Sequence, residues 1–163
     1  MLALAEVASA KLAGGERDNR WLRQELNYLW ITFFSDVPHA NSVMIEYSRG
    51  WKNRLGMICL SLTGRTSYIG INSLLRLPQV PSYVALVTIA HELVHYSHGF
   101  GSPLPRRYEH PHRGGVVVKE LVNRGLGSEY DLYLQWIREH WEVFYARNRS
   151  SKQKRRTALA SLA

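Results

Sequence analysis

Residues 91–95 read His91-Glu92-Leu93-Val94-His95, within a largely apolar stretch from Tyr83 to His98. On a helix, side chains four apart stand on one face, one turn above the other. That spacing lets both imidazoles reach a single zinc ion. Glu92, one residue after the first histidine, faces the same cavity and can take a proton from a metal-bound water. With seven histidines and ten glutamates in the chain, the pattern arises by chance on the order of one or two times in a hundred.

The surroundings strengthen it. Val84-Ala85-Leu86-Val87-Thr88-Ile89-Ala90 is apolar almost all round, the mark of a buried helix. Two imidazoles and a carboxylate buried there need partners, because each unpaired polar group costs on the order of several kcal/mol. A metal is such a partner; the plain alternative is a core helix whose histidines bond backbone carbonyls. Pro78 and Pro81 precede the stretch, Ser82 is a suitable N-cap, and Gly99 and Gly101 follow it, with Pro103 and Pro105 beyond. The spacing predicts a helix from Tyr83 to His98, about four and a half turns.

Catalytic zinc takes three protein ligands and leaves a fourth position open. The downstream candidates are His98, Glu109, His110 and His112, with Glu120 further on. His98 lies about 10 Å along the axis from His91, too far to share an ion held between His91 and His95. It is expected at the site rim or bonded to a neighbouring group. The metzincin pattern H-E-x-x-H-x-x-G-x-x-H also fails, since Gly101 stands where its last histidine belongs. The better source is Arg107-Tyr108-Glu109-His110-Pro111-His112-Arg113-Gly114-Gly115, where a loop returns the chain before a second, short helix over 114–123.

At this point the sequence resembles the SprT-like (Spartan-related) zinc metallopeptidases. In that family H-E-x-x-H is followed, after a variable loop, by a histidine just before a short helix with an apolar anchor. The match implies His112 as third ligand, with Val116 where the family usually has an aromatic residue. Glu120, which would make the chain similar to the gluzincins, and His110 and Glu109 stay open as alternatives. Upstream, Leu55-Gly56-Met57-Ile58-Cys59-Leu60, Tyr68-Ile69-Gly70-Ile71-Asn72 and Ser73-Leu74-Leu75 are similar to the family's leucine-glycine strand, second strand and polar turn. The likeness spans residues 20–125. Two features depart from it: glycine follows His112 one place late, at Gly114, and a zinc ribbon is impossible with Cys59 as the only cysteine. The resemblance implies a compact α+β, zincin-like domain, its small three-stranded sheet packed on the H-E-x-x-H helix with further helices flanking.

At 163 residues and 45% hydrophobic, the chain can bury one sizeable core. We expect a single domain over 1–146 and a basic tail over 147–163. A lone cysteine excludes an internal disulfide and suits a reducing cytoplasm; Cys59 reads as a small core residue. No apolar run approaches the roughly 18 residues of a membrane span, and Met1-Leu2-Ala3-Leu4-Ala5 lacks the basic start of a secretory signal. Six of the formal +8 charges are Arg147, Arg149, Lys152, Lys154, Arg155 and Arg156, which leaves +2 for the rest. Such a tail can contact DNA by neutralising phosphates, or simply be solvated.

Elsewhere, residues 1–14 are rich in alanine and leucine and suit a helix. A second helical pattern runs from Arg17 through Trp21, Leu22, Leu26, Leu29 and Trp30 to before Pro38. Strands are expected near 42–47, 55–62 and 67–71, the last two as a hairpin about Thr63-Gly64-Arg65. A final helix over 129–146 carries Tyr133, Ile137, Trp141 and Phe144 as one core-facing stripe.

The chemistry expected is hydrolysis of a protein or peptide substrate. Zinc on His91, His95 and His112 acidifies water, and Glu92 shuttles the proton to the leaving amine. An extended substrate is expected to pair with the edge of the strand over 68–72. Tyr96, Tyr108, Arg107 and Arg113 are candidate oxyanion stabilisers. The competing class is a nucleic-acid- or protein-binding module with a structural zinc, in which Glu92 would have no task.

Overall fold

Helix α1, Asn19–Phe33, starts where Asp18 caps it by accepting from the Trp21 amide at 2.9 Å. It buries Trp21, Leu22, Leu26, Leu29 and Trp30, the face its spacing predicts. The computed structural model to which it belongs describes residues 17–149. The helix expected over 1–14, and the tail beyond Arg149, lie outside the described residues.

Three strands follow: β1 (Ser42–Tyr47), β2 (Gly56–Leu60) and β3 (Thr66–Ile71). β2 and β3 form the expected antiparallel hairpin, with Cys59 opposite Tyr68. β1 joins the far side of β3 in parallel, with Met44 also opposite Tyr68. The order is therefore β1-β3-β2, a mixed sheet with β3 in the middle. Ser67, Ile69 and Ile71 point into the core while Tyr68 faces out, the period-two alternation of a half-buried strand. Cys59 is exposed rather than in the core, because its position puts it on the same outer row as Met44 and Tyr68.

A buried asparagine closes the sheet's end. Asn72 donates from Nδ2 to the carbonyls of Trp51 and Arg54, both at 2.8 Å, and accepts from the Leu74 amide. These bonds pin the loop before β2 against the short turn Ser73–Arg76 that leads to the next helix.

That helix, α2, spans Ser82–Ser97 and buries thirteen of its sixteen residues. Pro81, not Ser82, occupies the cap position, and no side chain caps the start; proline's fixed φ preorganises that entry instead. After it come a 3-10 turn, Arg113–Gly115, and helix α3, Val116–Asn123, which begins two residues later than the sequence suggests. Gly114 and Gly115 both have positive φ, which turns the chain there at little steric cost.

The last helix is continuous but changes pitch: α4 (Gly127–Trp136), a π turn (Ile137–Trp141) and α5 (Glu142–Asn148). An α-helix turns residues five apart onto different faces; the wider turn brings Trp136 and Trp141 back onto one. Both are buried, with Tyr145, while Tyr133, Ile137 and Phe144 are only half-buried. All four residues of the expected stripe pack on the core, and the inserted residue adds Trp136 and Tyr145 as its most buried members beside Trp141. Trp141 Nε1 donates to the Lys52 carbonyl at 2.7 Å, tying this helix to the loop before β2. The fold is α+β, and no helix among the described residues is long and apolar enough to cross a membrane.

Candidate metal centre

One face of α2 and the loop residue just before the 3-10 turn Arg113–Gly115 bring three imidazoles together. His95 Nε2 stands 3.0 Å from His91 Nε2, which stands 3.3 Å from His112 Nε2. His95 is buried, His91 half-buried and His112 exposed, so the cluster opens to solvent on the His112 side. Nitrogens about 2.0–2.1 Å from a tetrahedral zinc ion are about 3.3–3.4 Å apart. Two of the spacings are close to that value and all three nitrogens lie within 4.8 Å of one another; ring nitrogens gathered this closely need a shared cation more than they need each other. The residues fit a zinc ion.

Burial sets the electrostatics. Desolvation first, then the positive form of His112, lowers His91 to about 4; desolvation lowers His95 to about 3, with the neighbouring imidazoles adding to it. Both rings are therefore neutral at pH 7, with lone pairs available. Glu92 is 4% exposed, and burial raises it to about 8, opposed by the Arg54 charge. A carboxylate so placed is poised for proton transfer near neutrality.

Glu92 owes its position to the strand beside it. A Cβ on Gly56 would lie 2.6 Å from Glu92 Oε1 and 2.7 Å from Thr88 Cγ2, so only glycine lets β2 approach α2 this closely. Together these groups line a cleft of about 600 Å3, bounded by the start of β2, Phe100 and Gly101 after α2, and Tyr133 of α4.

The other candidates fall elsewhere. Glu120 receives Arg124 Nε at 2.9 Å, and the same guanidinium grips Asp36 through two bonds and the Phe33 carbonyl through a third. Glu109 and His110 are exposed and face each other at 3.8 Å. His98 is fully buried, not on the rim. Its Nε2 is 3.6 Å from Glu120 Oε2 and its ring meets Tyr108 edge-on; burial lowers its pKa, which the Glu120 charge opposes.

Among the expected oxyanion stabilisers, Tyr96 is spent on structure: its hydroxyl donates to Asn41 Oδ1 and accepts from the Ala40 amide. Tyr108, Arg107 and Arg113 do not line the cleft. Tyr133 does; burial raises its phenol to about 12, so it stays protonated at neutral pH, and its hydroxyl is hydrogen-bonded to Thr88 on α2. The sequence hides it in an aromatic stripe. Its signal is the hydroxyl, which a half-buried tyrosine must satisfy with some polar partner.

The edge assignment also changes. β3 is central and both its edges are paired, whereas β2 pairs only with β3 and lines the cleft. Any strand added beside the histidines must lie along β2. Compared with protein-family models, curated proteins and solved structures, the chain matches none.

Proposed function

We propose that this chain is a zinc-dependent metallopeptidase of the SprT-like, zincin kind, acting on unfolded or extended polypeptide. The observation that carries the reading is the buried Glu92 carboxyl beside three convergent Nε2 atoms, at the floor of an open cleft. A structural zinc would leave that buried acid without a purpose.

His91, His95 and His112 would hold the ion. When bound, it supplies positive charge that polarises a carbonyl and makes a neighbouring water more acidic. Glu92, held near 8 by burial without the ion, would be shifted toward its carboxylate form beside such a charge. Glu92 then accepts a proton from the attacking water as the oxygen adds to the peptide carbonyl carbon. It returns the proton to the amide nitrogen as the C–N bond breaks, which yields a carboxylate and an amine. The Tyr133 hydroxyl, exchanging its bond with Thr88, donates to the oxygen that gains charge. Backbone hydrogen bonds along the free edge of β2 hold the substrate extended, largely irrespective of its sequence. We further propose DNA contact through the basic C-terminal residues; of these, Arg147 and Arg149 lie at the end of α5.

The test is hydrolysis of an unfolded protein by the zinc-loaded chain, with Glu92→Gln beside it. The variant should keep its zinc by elemental analysis and lose cleavage by about 100-fold or more. Cleavage at the original rate would overturn the role given to Glu92.

A further inference from the structure

The cleft is basic at both ends. Arg54 lines it on the β2 side, its backbone carbonyl held by Asn72. At the other end Arg106 lies over the ring of Phe100, 4.8 Å from its centroid, and Phe100 is itself a wall of the cleft. Arg106 does not itself line the cleft, but the stacking holds its guanidinium against a residue that does. The two ends are set by the run of β2 along α2: Gly56 abuts Thr88 and Glu92, whereas Ile58 abuts Gly101.

The flanking segments carry the same sign. The loop over 49–54 holds Arg49, Lys52 and Arg54 with no acid. The loop over 100–113 holds Arg106, Arg107 and Arg113 against Glu109, which faces His110. Arg107 is the exception in direction, close enough to Asp36 to affect its charge. Neither Arg54 nor Arg106 has an ion-pair partner among the described residues. Glu92 is the one acid in the lining, and it is buried.

We infer that the cleft selects acidic polypeptide, with Arg54 and Arg106 each receiving a carboxylate on opposite sides of the bond to be cut. This rests on the peptidase reading and narrows its substrate class. Exposed guanidinium groups such as Arg54 and Arg106 form charge-assisted hydrogen bonds with carboxylates, and their field raises the rate at which anionic chains arrive. A nucleic acid also answers to positive charge, but it has no peptide groups to pair with the free edge of β2 between the two arginines.

Two measurements on the full chain separate the inference from its premise. The first is zinc-loaded cleavage of three matched unfolded peptides whose flanking residues are glutamate, glutamine or lysine. We expect kcat/KM to be about tenfold higher for the glutamate peptide than for the lysine peptide, as one favourable charge pair at each end allows. The Arg54→Glu, Arg106→Glu double variant should reverse that order, and Arg54→Gln, Arg106→Gln should level it. Equal cleavage of all three peptides, unchanged in the variants, overturns the acidic preference and leaves the peptidase reading standing.

The second is binding of the same peptides, and of a single-stranded oligonucleotide of equal charge, to the zinc-loaded Glu92→Gln chain by fluorescence anisotropy. It needs no turnover. Tighter binding of the glutamate peptide, weakened in both double variants and by salt, supports the inference even if no peptide is cut, in which case only the peptidase reading fails. Indifference to peptide charge overturns it. So does tighter binding of the oligonucleotide that is lost in the double variants, which would make nucleic acid the occupant.

Discussion

Gly56 and Glu92 are packed so closely that a single methyl group on the glycine would stand 2.6 Å from the carboxylate oxygen. The strand whose edge we propose for substrate is thus also the surface on which the acid rests. Gly56→Ala should therefore leave zinc content unchanged and lower kcat by about 100-fold, the usual cost of an ångström-scale misplacement. Elemental analysis and steady-state kinetics together check this; full activity in the alanine variant would show that Glu92 does not depend on the strand.

Tyr133 reaches the cleft from a different helix, so its hydroxyl can be removed without touching the histidines. Tyr133→Phe should reduce kcat by about 100-fold with little change in KM, the pattern of a donor that acts on developing charge. A change confined to KM would assign it to substrate binding instead.

Zinc should stabilise the fold as well as serve the reaction. At a free concentration 100 times the Kd the gain is about 2.7 kcal/mol, or roughly 5–10 °C in Tm for a chain of this size. Differential scanning calorimetry with and without chelator measures it. His112→Ala should abolish most of the zinc-dependent shift, whereas Glu109→Ala and His110→Ala should preserve it.

Without metal, the folded chain keeps His91 near 4 and His95 near 3, against an ordinary 6.5, and Glu92 near 8, against an ordinary 4.5. Between about pH 4.5 and 6.5 the unfolded chain holds a proton on each imidazole and the folded chain holds one on Glu92. Unfolding then takes up protons, and stability rises with pH. From about 6.5 to 8 only the folded state holds the extra proton, so stability falls. Denaturation of chelator-treated protein should peak near pH 6.5, and Glu92→Gln should erase the decline above it.

The H-E-x-x-H helix was legible because its spacing encodes a face and its apolar flanks encode burial, both local properties. The hairpin of β2 and β3 was legible for the same reason. Sheet order was not: nothing in the alternation of Ser42–Tyr47 says that β1 lies beside β3 and leaves β2 at the edge. His112 was reached through a family likeness, since the sixteen residues between it and His95, most of them loop, fix no distance by themselves. Tyr133 was read as one member of an aromatic packing stripe, and the register beyond it was hidden by the π turn, which breaks the 3.6-residue repeat on which stripe reading depends. Arg124 was missed too. Its partners Asp36 and Phe33 lie far back in the chain, and only folding brings them beside Glu120.

The widened turn at Ile137–Trp141 carries one residue more than a regular helix needs. Deleting it would improve the local hydrogen-bond pattern and rotate everything downstream by about 100°. Trp141 would swing off the Lys52 carbonyl, and the loop bearing Arg54 would lose its brace. A change that tidied the helix would thereby loosen a distant wall of the cavity, so shortening this region by one amino acid should be tolerated far worse than replacing any single exposed side chain within it.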